Sequence, residues 1–291
     1  MPHAPKRSCC TLQNAMKHGS FRRKSDGQKV KRYRCKTCGK LFSQATFNPA
    51  YYHKKRHINY ACKMLLASCM SMRRISLVLN VHPITVARKL EYNAAQIRKT
   101  GVAVQAKSSA ITGILFDELQ TIEHTKCKPL SVAMAVAQGS RKILGFRVSQ
   151  MPATGHLAAI SRQKYGPRKD RRKEGLHDLL KELSPQLSPT VEIRSDECSF
   201  YQSAIKTYFP KARYEQFKGR VSSVAGQGEL KKGWKDPLFY INHTFAMLRA
   251  NINRLVRKTW CTTKIVRRLV DHLLVYIWVH NSKLTPALVR S

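Results

Sequence analysis

Between Ile111 and Phe217 the chain carries five short apolar runs separated by polar or turn-forming stretches: Ile111 to Phe116, Leu130 to Ala137, Lys142 to Val148, Val191 to Arg194 and Ala212 to Phe217. Runs of this length, rich in Ile, Val and Leu, predict strands, and Gly139-Ser140 predicts a hairpin turn between the second and third. Helical runs fill the gaps, from about Gly175 to Leu183 and from Phe200 to Phe209. Leu238, Ile241, Phe245, Leu248, Ile252 and Leu255 then step by alternate threes and fours, which predicts one long amphipathic helix. Asp236-Pro237 ahead of it reads as an N-cap followed by proline at the first helical position. The stretch from Arg162 to Glu174, hydrophilic and interrupted by Gly166-Pro167, predicts a mobile basic loop.

Upstream of this α/β region the pattern is helical. Met72 to Leu90 predicts two short helices with a tight turn at Asn80 to His82, the second opened by Pro83. Ile75, Leu79, Val86 and Leu90 would pack the pair, leaving Thr85, Arg88 and Lys89 to face a DNA major groove. The first 60 residues look different again, with Cys35-Lys-Thr-Cys38-Gly as their most distinctive feature. A Cys-x-x-Cys-Gly turn aims two thiolates at one tetrahedral metal, for which zinc is the expected ion. Two further ligands are needed upstream, and Cys10 with His18 is the favoured pair, with Cys9 as substitute. The predicted domains are therefore 1-58, a metal-stapled module; 59-105, a helix-turn-helix segment; and 106-291, the α/β domain with its basic loop 162-174 and C-terminal helices.

Charge narrows the partners. The 291 residues hold 54 Lys and Arg against 16 Asp and Glu, a formal net charge of +38. A surface of that sign attracts phosphate polyanions, and binding should weaken steeply with salt as counterions are released. Met64 to Met70 and Leu269 to Val279 are both too short to span a bilayer, and the N-terminus has no apolar signal region, so a cytoplasmic protein with no membrane partner is expected. In that compartment nine cysteines are not a disulfide framework; Cys62, Cys69, Cys127, Cys198 and Cys261 stand alone and are expected to pack as small apolar groups.

Against so basic a background the acids are informative. Asp117 follows the first strand of the α/β region and Asp196 follows the fourth. Carboxylates at the ends of buried strands supply hard oxygen ligands for Mg²⁺ or Mn²⁺, and such ions can activate an attacking oxygen at a phosphodiester. The order of elements, three strands with a hairpin, a helix, a fourth strand, a helix, a strand and a long helix, is that of a ribonuclease H-like mixed sheet.

Several of these segments resemble one family. Arg249-x-x-x-x-Arg254-Leu-Val-Arg257-Lys258-Thr259, followed by Thr263-Lys264, is similar to the C-terminal signature of short bacterial insertion-sequence transposases of the DDE class. Arg32-Tyr33-Arg34-Cys35 with Cys38-Gly and Phe42-Ser43 resembles their N-terminal zinc ribbon, and Phe116-Asp117-Glu118 their first-carboxylate segment. The resemblance implies a strand-transfer enzyme in which Asp117 and Asp196 are the first two members of a catalytic triad. Its third position falls on Asn242, seven residues before Arg249, where the family normally has Glu; Glu229 is the nearest acid that could compensate. It further implies double-stranded DNA partners, namely terminal inverted repeats and target DNA, phosphate contacts from Arg249, Arg254, Arg257 and Lys258, and a homodimer or higher synaptic oligomer in the bacterial cytoplasm. A catalytically degenerate DNA-binding protein or repressor is the alternative expectation.

Overall fold

The computed structural model describes residues 8–24, 26–51, 53–100, 111–218, 236–256 and 260–284. They fall into two compact units, Met1–Lys63 and Met64–Ser291.

The first unit is built on a three-stranded antiparallel sheet of β1 (Ala15–Arg22), β2 (Lys29–Cys35) and β3 (Leu41–Ser43), in that order. Nearly every side chain of β1 and β2 is exposed, with Val30 and Cys35 the buried exceptions on β2. A sheet that buries so little apolar surface has little core of its own, and small modules of this kind depend on a metal or other staple. The unit boundary falls within α1 (Ile58–Leu66).

In the second unit, α2 (Met72–Val78) and α3 (Pro83–Thr100) flank a tight turn in which Asn80 takes the left-handed conformation, with φ +47°. The Ser71 hydroxyl caps α2 by accepting from the Arg74 N–H. The α/β part begins with β4 (Gly113–Glu123), β5 (Thr125–Ala137) and β6 (Ile143–Gln150), an antiparallel meander. It continues through α4 (Leu157–Tyr165), α5 (Arg172–Leu183), β7 (Glu192–Asp196), α6 (Tyr201–Tyr208), β8 (Arg213–Phe217), α7 (Phe239–Asn251) and α8 (Val266–Val279). The five strands form one mixed sheet in the order β6-β5-β4-β7-β8, with β7 and β8 parallel to β4.

Both faces of this sheet are covered, which is why Gly113 to Phe116 and Leu130 to Ala137 are buried without alternation. On one face Ile114, Phe116, Ala133 and Ala135 meet Leu176, Leu179 and Leu180 of α5 and Tyr201, Ala204 and Ile205 of α6. Glycine allows α5 to come this close: a Cβ on Gly145 of β6 would stand 2.8 Å from the Leu179 Cδ1 atom. On the other face α7 packs against β4 and β5. The helix is shorter than its sequence pattern predicts. It stops at Asn251, whose carbonyl accepts the Cys69 N–H, yet Ile252 and Leu255 remain buried in the turns that follow.

The stretch 162–174 is also more ordered than expected. Its first residues complete α4 and its last begin α5, while Arg168 pairs with Glu123 at 3.5 Å and Arg172 chelates Asp170, with one nitrogen 3.9 Å from Glu118. Glu118 and Glu123 of β4, with Asp170, thus hold two arginines of the basic segment against the sheet.

α8 is the hub. It is buried nearly all round, packs on β6, and receives the Val86, Leu90, Ala94 and Ile97 stripe of α3. Two polar groups in that seam are paired. The buried Asp271 carboxylate is held by Arg98 of α3, with Arg268 3.7 Å away. His272 donates from Nε2 to the Leu66 carbonyl at 2.7 Å and accepts at Nδ1 from the Arg254 Nε at 3.3 Å. Burial holds this imidazole down to about 4, so it stays neutral and able to accept. Arg98 and Arg268 are part-exposed, so losing Asp271 costs mainly the charge-assisted hydrogen bond, about 1.5–3 kcal/mol, rather than leaving a charge buried. Asp271→Ala is therefore expected to lower the unfolding free energy by about 1.5–3 kcal/mol, read as a lower urea midpoint at an unchanged slope.

Candidate functional site

In the first unit the chain returns sharply after β2. The Gly39 N–H donates to the Cys35 carbonyl at 3.0 Å, the Cys35 N–H to the Lys40 carbonyl at 2.9 Å, and Gly39 sits at φ +69°. This turn aims Cys35 and Cys38 at a common point. Asn14 brings in the upstream segment: its side-chain amide donates to the Cys9 carbonyl at 2.9 Å and to the Thr37 hydroxyl at 2.8 Å. The Sγ atoms of Cys9, Cys10, Cys35 and Cys38 all lie within 4.8 Å of one another, with Cys10 and Cys38 3.5 Å apart. Tetrahedral zinc with Zn–S bonds of about 2.3 Å requires S···S separations of about 3.8 Å, so the four thiols fit a zinc ion.

His18 is not part of this cluster. It points outward from β1, and the adjacent pair Cys9-Cys10 takes both upstream positions. A strand residue three places into an exposed edge cannot turn back to the knuckle, whereas two consecutive cysteines in the preceding turn can. Without metal the thiols are unequal: a backbone N–H from Lys40 draws Cys38 down to about 7, while burial pushes Cys10 up to about 12. One zinc per chain is expected by elemental analysis. Cys9→Ser and Cys35→Ser should each lose it, and His18→Ala should keep it.

The second cluster is made by the sheet. β4 and β7 pair in parallel register through Phe116 and Ser195, so the next residue on each strand is an aspartate: Asp117 and Asp196 occupy adjacent positions on neighbouring strands, about 4.8 Å apart. Burial first, and then the charge of Asp196, pushes the Asp117 carboxyl up to about 7. Burial also raises Asp196, whose Oδ1 atom has no hydrogen-bond partner among the described residues. Most other described acids find cations, among them Asp26 with Arg23, Glu91 with Arg268, Glu123 with Arg168, Glu182 with Arg147 and Glu192 with Arg194. Among the described residues neither Asp117 nor Asp196 takes part in any such pair. Two half-buried carboxylates side by side, outside every ion pair among the described residues, are suited to a cation from outside.

Around them stand residues the sequence reading did not single out. Glu118 faces the other way, its Oε2 accepting from the Ser131 hydroxyl at 2.8 Å and its Oε1 buried without a hydrogen-bond partner. The Tyr201 ring packs edge-on against Phe116 at 4.8 Å, and burial followed by the charges of Glu118, Asp196 and Asp117 raises its phenol. The Phe116-Asp117-Glu118 triplet was the available signal for Glu118; nothing in the local pattern announces Tyr201.

The remaining expected site residues are dispersed. Arg249 on α7 is near enough to Asp117 for its charge to favour the ionised carboxylate. Asn242, two turns earlier, is exposed and donates its amide to Asp236 at 2.9 Å. On α3, Arg88 is exposed and Thr85 half-buried, but Lys89 retains only 4% of its exposure and faces inward, which removes it from any groove-reading surface. Arg254 is likewise turned inward to His272. In both cases helix packing on α8, invisible to a pattern of charges, decides the direction. Cys69 and Cys261 are exposed, contrary to the expectation for lone cysteines, whereas Cys62 and Cys127 are buried. Glu229, Arg257 and Lys258 lie outside the described residues.

No family model matches the chain, and no curated protein does. Among solved structures it is similar to an electron-cryomicroscopy structure of a simian T-cell lymphotropic virus intasome in complex with the PP2A regulatory subunit B56 gamma, at 14% identity over 72% of this chain and 71% of that one, with a TM-score of 0.24. A score of that size establishes neither a shared fold nor a shared activity. Among the described residues no helix is long and apolar enough to cross a membrane.

The raised Asp117 carboxyl has a consequence for stability. The group ionises near 3.9 in an unfolded chain and near 7 here, so the fold favours its neutral form; the associated stability is complete below about 3.9 and is lost as pH rises through 7. Asp117→Asn, uncharged throughout, is expected to match the wild type near pH 4 and to exceed it by about 2 kcal/mol at pH 8 in metal-free buffer. Thermal unfolding at the two pH values measures this.

Proposed function

We propose that the chain is a DNA transposase whose second unit is a ribonuclease H-like strand-transfer domain. The observation that carries this reading is the placement of Asp117 and Asp196 side by side on parallel strands, half-buried and outside every ion pair among the described residues, with the Asp196 Oδ1 atom buried and unpartnered. A divalent ion, Mg²⁺ or Mn²⁺, held by the two would polarise the scissile phosphodiester and favour the attacking oxygen. Asp117 supplies one carboxylate and accepts the N–H of Glu118, at 2.6 Å, on Oδ1, which fixes its rotamer. Asp196 supplies the unpartnered Oδ1. Asn242 stands at the family's third position with its amide nitrogen bound to Asp236, leaving its carbonyl oxygen, a neutral donor, as the atom it can offer. Arg249 provides positive charge beside Asp117 and is suited to hold a phosphate there.

The DNA itself would be held by charge. With +38 on the chain, backbone contacts dominate affinity and set register without reading sequence. The thiol module with zinc bound, and the α2–turn–α3 pair as a helix-turn-helix with Arg88 and Thr85 toward the major groove, are the elements assigned to the terminal repeats. Domains at 1-58, 59-105 and 106-291 correspond to these three roles. Joining two DNA ends would call for at least a dimer.

A second reading has its own support. The third position carries no acid, and Asn242 is exposed and engaged by Asp236, as suits a DNA-binding protein or repressor that no longer cuts. A nicking assay separates the two, using linear duplex that carries the repeat flanking the gene, with Mg²⁺ or Mn²⁺. The wild type is expected to nick at the repeat, and Asp117→Ala and Asp196→Ala to lower the rate by about a hundredfold or more. Equal nicking by either variant would sink the catalytic assignment, and binding without nicking in either metal would favour the repressor.

A further inference from the structure

Between α7 and α8 the chain presents Trp260 with 101% of its surface exposed. Large aromatic side chains carry the greatest apolar area of any residue and are seldom left wholly in water without a partner to cover them. Among the described residues no ring stacks on this indole and no hydrogen bond ties it back.

Its position is fixed from below. Three residues on, Thr263 is fully buried, forms a parallel bridge with Glu123 at the end of β4, and accepts the His124 N–H on its carbonyl at 2.6 Å. The indole is therefore carried on a segment pinned to the sheet, and both of its faces are open. Its setting is cationic: Arg254 to Arg268 contains six Lys or Arg and no acid. Arg254 and Arg268 are turned inward to His272 and to Glu91 and Asp271, whereas Lys264 and Arg267 are exposed like Trp260 itself.

We propose that Trp260 is a stacking platform for an unpaired DNA base, with the exposed Lys264 and Arg267 that follow it holding phosphates of the same strand. This rests on the reading of the chain as a DNA-binding protein and adds a site for single-stranded or frayed DNA that is separate from the carboxylate pair. An aromatic face amid cations is the recurrent solution for such a ligand, because every base has a π-face and every nucleotide a charge. The setting argues against a second copy of the chain as the occupant, because apolar interface cores are depleted of charge and exposed Lys264 and Arg267 stand in the same segment. The location also keeps the site apart from catalysis. Asp117 lies six residues before Glu123 on β4, about 20 Å along the strand.

The test uses the full zinc-loaded chain with a single-stranded oligonucleotide and the fully paired duplex of the same sequence. Trp260→Ala is expected to weaken binding of the single strand about tenfold and to leave the duplex within about twofold, with Trp260→Phe in between. Quenching of tryptophan fluorescence by the single strand should fall in Trp260→Phe, although Trp234 and Trp278 remain. Three results would overturn the proposal: unchanged single-strand affinity in Trp260→Ala, equal weakening of both DNA forms, or a lower oligomeric state by light scattering with unchanged affinity, which would make the residue an interface anchor. A wild type that binds neither DNA brings down the DNA-binding reading and this site with it; one that binds only duplex removes this site alone.

Discussion

The parallel, in-register pairing of β4 with β7 brings two carboxylates together on adjacent strands, and the arrangement of the second unit follows from accommodating them. Strands β5 and β6 extend the sheet on one side of β4, and β7 and β8 extend it on the other, so the aspartates sit in its middle rather than at an edge. Helices on both faces exclude water from the strands that carry them. Desolvation and mutual repulsion then act on the same atoms, and both favour loss of charge. A fold that merely needed polar residues at strand ends would gain nothing from this placement. A fold that must take up a hard cation gains a site whose carboxylates are already gathered.

The rest of the electrostatics works in the opposite sense. With few acids available, the structure spends most of them as local counter-charges that direct arginines inward or along the surface: Glu123 on Arg168, Glu118 and Asp170 on Arg172, Asp271 on Arg98. These pairs order segments that would otherwise repel the body of the protein. They also sort the cations, since an arginine engaged with a buried carboxylate is not available to a phosphate. Arg88, Lys264 and Arg267 remain outward, while Arg254 and Lys89 do not.

The two units meet the demand for stability differently. The larger one has a double-sided hydrophobic core with α8 at its centre, and its polar insertions are paired. The smaller has an exposed three-stranded sheet and a cysteine cluster in which Cys10 and Cys35 are buried. Four thiols gathered within a few ångströms are well matched to a metal, which binds them as thiolates.

Local pattern alone determined the elements. Continuous apolar runs marked the buried strands because helices cover both faces, and the Cys-x-x-Cys-Gly turn marked the metal knuckle because its geometry closes within five residues. The aspartates were legible as the acids next to apolar strand runs, although Asp117 lies within β4, which runs on to Glu123, and Asp196 is the last residue of β7. What lay beyond reach was every property that depends on which distant residue arrives alongside. Cys9 rather than His18 completes the thiol cluster because β1 runs outward from it; Lys89 and Arg254 turn inward because α8 packs against their segments; the predicted long helix ends early at Asn251, with its apolar stripe continuing in turns. The state of Asp117 is of this kind too. Its sequence says only that a carboxylate follows a strand, and the parallel register with β7 sets Asp196 against it at a distance where one charge alters the other.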